Sequence, residues 1–155
     1  MKIIKEMGLL RHGVFATAAV VLLAGSGFSA DAPKDSSSTK PKIEILKVPA
    51  ASVKPGTDDT GEISGQVSGL ASFKGYQVVV YSKGGQTWYV QPNTSKAVLK
   101  IDDNGEFSAD IYGGTEYAAF LVKDSYQPKA TLSQLPVVGD GVLARDRKKP
   151  EKAEK

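Results

Sequence analysis

Between Glu62 and Val122 three runs repeat with a period of two, and nowhere after residue 30 does the chain repeat with the three-to-four spacing of a helix across several turns. Ile63 and Val67 alternate with Glu62, Ser64 and Gln66. Ala97, Leu99 and Ile101 alternate with Val98, Lys100 and Asp102, and Phe107, Ala109 and Ile111 with Glu106, Ser108 and Asp110. Successive side chains of a strand point to opposite faces, so each run predicts a half-buried β-strand. Gly65 falls on an inward position, where a neighbouring backbone or large side chain can come close.

Two further runs are apolar without alternation. Tyr76 to Tyr81, interrupted only by Gln77, predicts a central strand, and Tyr117 to Val122 a strand buried on both sides. Lys83-Gly84-Gly85 predicts a turn into a hairpin partner over Thr87 to Gln91, which Pro92 stops. Asp103-Asn104-Gly105 lies between two alternating runs. It predicts a hairpin between them, because Asn and Gly both tolerate positive φ. Ile43 to Val48 predicts an edge strand and Val142 to Ala144 a short last one. Asp124 to Gly141, with Pro128, Pro136 and Gly139, predicts irregular chain across an end of the sheets. Seven to eight short strands predict an all-β fold, an immunoglobulin-like or carbohydrate-module-like β-sandwich, with a small barrel as the competing architecture.

The chain contains no cysteine and one histidine, His12. Disulfides and lipid attachment through a thiol are therefore excluded, and the fold has to be held by burial. Ser-His-Asp and Cys-His nucleophilic sites and the usual zinc ligand sets are excluded beyond the first thirty residues. No cofactor is implied.

Those thirty residues read as an export signal. Lys2, Lys5 and Arg11 precede an apolar run from Val14 to Ala24, and the small residues Gly25, Ser26, Gly27 and Ser29 follow. The run is shorter than the about 20 apolar residues that a spanning helix needs, so no integral membrane segment is expected once the signal is cleaved. Leu23-Ala24-Gly25-Ser26 resembles a bacterial lipoprotein box with serine in the place of the required cysteine. The expected organisation is a signal peptide over 1–29, a flexible leader over 30–60 holding the edge strand at 43–48, a β-sandwich domain over 61–146, and a charged disordered tail over 147–155. The expected location is the periplasm or the extracellular medium. The whole chain carries a net charge of +3. Without the signal's three bases and one acid that falls to +1, which gives no warrant for a nucleic-acid partner.

Trp88-Tyr89 is the aromatic pair best suited to touch a ligand. Adjacent strand residues face opposite sides, so one ring packs inward and the other outward. An exposed aromatic ring stacks on the apolar C–H face of a sugar. Gln91 shares the Tyr89 face and could hydrogen-bond a hydroxyl, and Tyr81 across the hairpin could enlarge the platform. The structural alternative makes Trp88 a core residue and Tyr89 a surface β-former. Asp102-Asp103-Asn104-Gly105 reads as a turn, because the spacing of a calcium loop is missing. Glu106 and Asp110 share a strand face at roughly 13 Å, too far apart for a glycosidase pair. Glu116 lies beside a strand. Asn93-Thr94-Ser95 fits a glycosylation acceptor in form, and is read as a turn.

An ordered set of segments carries a resemblance. It comprises Ile63-Ser64-Gly65-Gln66-Val67-Ser68-Gly69, Tyr76-Gln77-Val78-Val79-Val80-Tyr81, Trp88-Tyr89-Val90-Gln91-Pro92, Ile101 with Asn104-Gly105 and Phe107, and Gly114-Thr115-Glu116-Tyr117-Ala118-Ala119-Phe120-Leu121-Val122. Tyr126 with Pro128, Leu135-Pro136 and Val142-Leu143-Ala144 complete it. Together they resemble a family of exported, mostly bacterial β-sandwich domains sometimes found beside polysaccharide-acting enzymes. The similar domains often place His-Leu where Tyr112-Gly113 stand here, so a role for that histidine does not carry over. The resemblance implies context rather than chemistry. The expectation is a non-enzymatic, exported binding protein for a polysaccharide or cell-envelope polymer. The alternative is a structural or protein-interaction module whose partner is an envelope protein.

Overall fold

A computed structural model describes residues 40–50, 58–139 and 141–151. The expected signal peptide at 1–29, the expected leader at 30–39 and 51–57, and the expected tail beyond 151 lie outside the described residues. The described residues all fall within one compact unit, 36–155. They form two antiparallel sheets, as the period-two patterning predicts. The strands are β1 (Lys42–Lys47), β2 (Thr60–Ser68), β3 (Tyr76–Gly84), β4 (Thr87–Gln91), β5 (Glu106–Tyr112), β6 (Tyr117–Lys123), β7 (Thr131–Leu132) and β8 (Val142–Lys148). One sheet has the order β1-β2-β5 and the other β7-β4-β3-β6-β8. No helix among the described residues is long and apolar enough to cross a membrane.

The two patterns in the sequence correspond to two kinds of sheet. β2 and β5 alternate because the three-stranded sheet buries one face and leaves the other in water. β3 and β6 carry continuous buried runs, Val78 to Ser82 and Tyr117 to Val122, because the five-stranded sheet is covered on both faces. Its inner face meets the small sheet: Val78, Val80, Tyr117, Ala119 and Leu121 pack with Ile43, Ile45, Ile63, Phe107 and Ile111. Its outer face carries Val79, Tyr81, Trp88, Val90, Phe120 and Val122 under a cover that includes Tyr126, Leu132 and Leu135. Burying each aliphatic or Phe side chain contributes about 1.5–3 kcal/mol relative to exposure. With two such layers, the domain needs no covalent staple.

Gly65 sits between Ile45 and Phe107 in the register of the small sheet. A Cβ there would collide with the Glu44 carbonyl and the Phe107 ring, so the close approach expected at this position is real.

Several expectations need correction. The 124–141 segment does not cross an end of the sheets. It crosses the outer face of the large sheet, and β7 within it pairs with β4. The apolar residues Tyr126, Leu132 and Leu135 drive this, since they have a second apolar sheet face to cover. The Asn104-Gly105 turn forms, with Gly105 at φ +86° and its N–H bonded to the Asp102 carbonyl at 3.0 Å. The hairpin around it does not extend. Leu99 exchanges backbone hydrogen bonds with Val78 at 2.7 and 2.9 Å, while β5 pairs with β2. The chain therefore changes sheets at this turn. Alternation specifies which face is buried and leaves the pairing partner open, so both runs keep their period in different sheets.

The boundaries also shift. The leader's edge strand, β1, belongs to the sandwich, because Ile43 and Ile45 are core residues. β8 runs on through Arg147 and Lys148, the first two residues of the expected tail. Its side chains close the sandwich along β1. Asp146 Oδ2 accepts the Ile45 N–H at 2.8 Å, and Lys148 Nζ donates to the Leu46 carbonyl at 2.8 Å. The outer edge of β1 is thus occupied at Ile45 and Leu46.

Candidate functional site

β4 sorts its side chains as alternation requires, and that dismantles the expected platform. Trp88 pairs with Lys83 and Tyr89 with Ser82 across the β3–β4 ladder, so the two rings face opposite sides. Trp88 is 4% exposed and lies in the outer layer beneath the 124–139 crossing, not between the two sheets. Lys83 Nζ and the Arg147 guanidinium each lie 5.5 Å from its ring centre. Tyr81 pairs with Val90, which puts it on the Trp88 side. It is buried, packs edge-on against Phe120 at 5.9 Å, and its hydroxyl donates to the Lys129 carbonyl at 2.8 Å. Burial, with the nearby Tyr126, pushes the Tyr81 phenol up to about 12 although the Lys129 hydrogen bond opposes it.

Gln91 does share the Tyr89 face, yet it is buried at 3%. Its Nε2 donates to Ser82 Oγ at 2.7 Å and its Oε1 accepts the Tyr112 N–H at 3.0 Å. Both ends of the amide are engaged within the protein, so Gln91 is a tie between the sheets and not a ligand-binding group. Of the four expected site residues, Tyr89 alone presents its ring to solvent, at 46% exposure. The ring lies over Gly84, where a Cβ would come within 3.2 Å of it.

The structure adds Tyr112, which is 41% exposed. The Gln91 amide touches the backbone of both tyrosines: Nε2 lies 3.5 Å from the Tyr89 carbonyl while Oε1 holds the Tyr112 N–H. The backbones of two open tyrosines, one from each sheet, thus meet one buried group, while the Tyr112 side chain lies on the water-facing side of the small sheet. A signal for Tyr112 was present in the sequence. It continues the run of Glu106, Ser108 and Asp110, the water-facing half of β5. Its tie to Gln91 was invisible there, because it depends on how the sheets stack.

The remaining polar groups have local duties. Glu106 and Asp110 lie exposed on β5. Glu62 stands opposite Asp110 and is salt-bridged to Lys47. A shallow depression of about 620 Å³ on this side is bordered by Leu46, Glu62, Ser64 and Glu106. Glu116 is buried and accepts from Arg147 Nη2 at 2.6 Å and Nε at 3.1 Å. Asp102 Oδ1 accepts the N–H groups of Asn104 and Glu106, as a turn residue does. Asn93 Oδ1 caps a 3₁₀ turn over Thr94–Lys96 by accepting from Ser95 and Lys96. Among the described residues no three His, Cys, Asp or Glu side chains are grouped to hold a metal ion. What the Tyr89–Tyr112 arrangement offers chemically is stacking and hydrogen bonding, the means of reversible binding.

No family model, curated protein or solved structure matches this chain.

Proposed function

We propose that this chain is an exported, non-enzymatic binding domain for a glycan or cell-envelope polymer, with Tyr89 and Tyr112 as the stacking groups. The observation that carries the reading is the shared anchoring of two exposed tyrosines on the buried Gln91 amide. Strands tied at this point lose little backbone freedom when a sugar settles on either ring, which favours affinity. Export rests on the signal-like first thirty residues. The resemblance to exported sandwich domains found beside polysaccharide-acting enzymes supplies the context.

Affinity electrophoresis through polysaccharide gels, followed by a glycan array, tests the proposal. Tyr89→Ala and Tyr112→Ala should each weaken retention about tenfold while leaving the fold intact. Absence of retention on every polysaccharide, or retention indifferent to both substitutions, removes the reading. The structural or protein-interaction alternative is favoured by a different observation, the open edge of β5.

A further inference from the structure

β5 is an edge of the small sheet, and half of its outward backbone is unpaired. Its odd-numbered residues turn toward β2. The even ones turn away, as their bonds show: Glu106 exchanges hydrogen bonds with Asp102, and the Tyr112 N–H goes to Gln91. Between them, Ser108 and Asp110 direct N–H and C=O outward, because strand residues alternate in this respect. No hydrogen bond joins these groups to the rest of the described chain.

A second open edge faces the first. Leu99 bonds to Val78 through both its N–H and its carbonyl, so Val98 and Lys100 direct theirs away from β3. A groove of about 690 Å³ separates Val98–Lys100 from Ser108–Asp110. The β5 edge and the Val98–Lys100 segment, bridged to β3 at Leu99 alone, thus line one trough at the place where the chain leaves one sheet for the other.

We propose that this trough receives an extended, net-acidic polypeptide segment from another protein, added as a strand between the two edges. An extended chain carries a donor and an acceptor at every second residue on each of its own edges, and so can satisfy both banks together. Charge selects among such segments. Lys96 and Lys100 line one bank, neither ion-paired among the described residues, against Asp110 on the other. Val98, 40% exposed, supplies an apolar contact between the lysines. The proposal stands apart from the glycan reading, because the trough uses backbone groups and not the tyrosine rings.

The test is amide hydrogen exchange on the purified protein with a synthetic peptide of about eight residues, valine alternating with glutamate. The amides of Val98, Lys100, Ser108 and Asp110 should slow at least about tenfold at saturation, and the valine–lysine counterpart should leave them unchanged. Ser108→Pro deletes an outward N–H and should weaken binding about tenfold or more, whereas Ser108→Ala should change it less than about twofold. Should Ser108→Pro fail to fold, the surface variant Lys96→Glu with Lys100→Glu should lose the acidic peptide instead. Unprotected amides at saturation, or protection that appears without peptide as protein concentration rises, overturns the proposal. The first means an edge merely blunted by lysines and the second a trough that takes a second copy. Protection by a polysaccharide in place of the peptide overturns it equally, and loss of glycan retention in the tyrosine variants leaves it standing.

Discussion

Gln91 on β4 accepts the backbone proton of Tyr112 on β5 at 3.0 Å, joining the large sheet to the small one through a buried side-chain amide. The same amide donates to Ser82 at 2.7 Å. Gln91→Ala strips a hydrogen-bond partner from the Ser82 hydroxyl and from the Tyr112 N–H. Leaving such groups unsatisfied costs about 1–3 kcal/mol each when buried, and the Tyr112 N–H is only partly so, which brings the total loss expected by urea denaturation to about 2–4 kcal/mol. Tyr89→Ala, by contrast, should stay within about 0.5 kcal/mol of the parent, as surface changes do. Equal effects from the two substitutions would show that the tie is not structural.

Gly65→Ala should destabilise by about 2 kcal/mol or more. The new methyl would meet the Glu44 backbone carbonyl as well as the Phe107 ring. Phe107→Leu added to it should recover part of the loss and not all, because the carbonyl cannot move without unpairing β1. Full recovery in the double variant would show that the ring alone sets the constraint.

Arg147 neutralises Glu116, whose side chain is 12% exposed while that of Arg147 is 49% exposed. Arg147→Ala leaves a largely buried carboxylate without its cation. The expected cost is about 1–3 kcal/mol, tempered by the solvent that reaches the arginine. Glu116→Gln should cost less, since the amide oxygen still accepts. Trp88 is the single tryptophan, and the guanidinium lies 5.5 Å from its ring, so native fluorescence should also change in Arg147→Ala. An unaltered emission spectrum together with an unaltered denaturation midpoint counts against this role.

Alkaline pH should weaken the fold through Tyr81. Its phenol titrates near 12 in the folded chain and near 10 when unfolded. The folded state therefore holds the proton more tightly, and the stabilisation is complete below about pH 10 and lost as pH rises through about 12. Two pH units correspond to at most about 3 kcal/mol. Melting temperatures measured between pH 9 and 12, an interval set by those two pKa values, should fall more steeply for the parent than for Tyr81→Phe. Parallel slopes would assign the loss to other groups, of which Tyr117 and Tyr126 are also raised by burial.

Much of the fold was legible because its signals are local. The Thr87–Gln91 partner of β3, the doubly buried β6 and the close approach at Gly65 each follow from residues a few positions apart. The candidate site was less legible. Trp88, Tyr81 and Gln91 have the composition of a sugar platform, and the structure buries all three. Tyr112, the other open tyrosine, lies 23 positions beyond Tyr89 and is tied to β4 through Gln91. The 97–111 stretch misled in a related way. Its two alternating runs are as compatible with a hairpin as with the separate sheets they join.

By itself the sequence determined that this protein is built of strands, which residues of each strand share a face, and that burial alone must hold them. These follow from the two-residue period of the extended backbone and from the absence of cysteine. Tertiary structure decided which strands pair, that the 124–139 crossing covers a second sheet face, and hence that Trp88 is enclosed while Tyr89 and Tyr112 stay open. Alternation divides side chains into two sets, but which set meets water depends on what distant chain comes to lie above it.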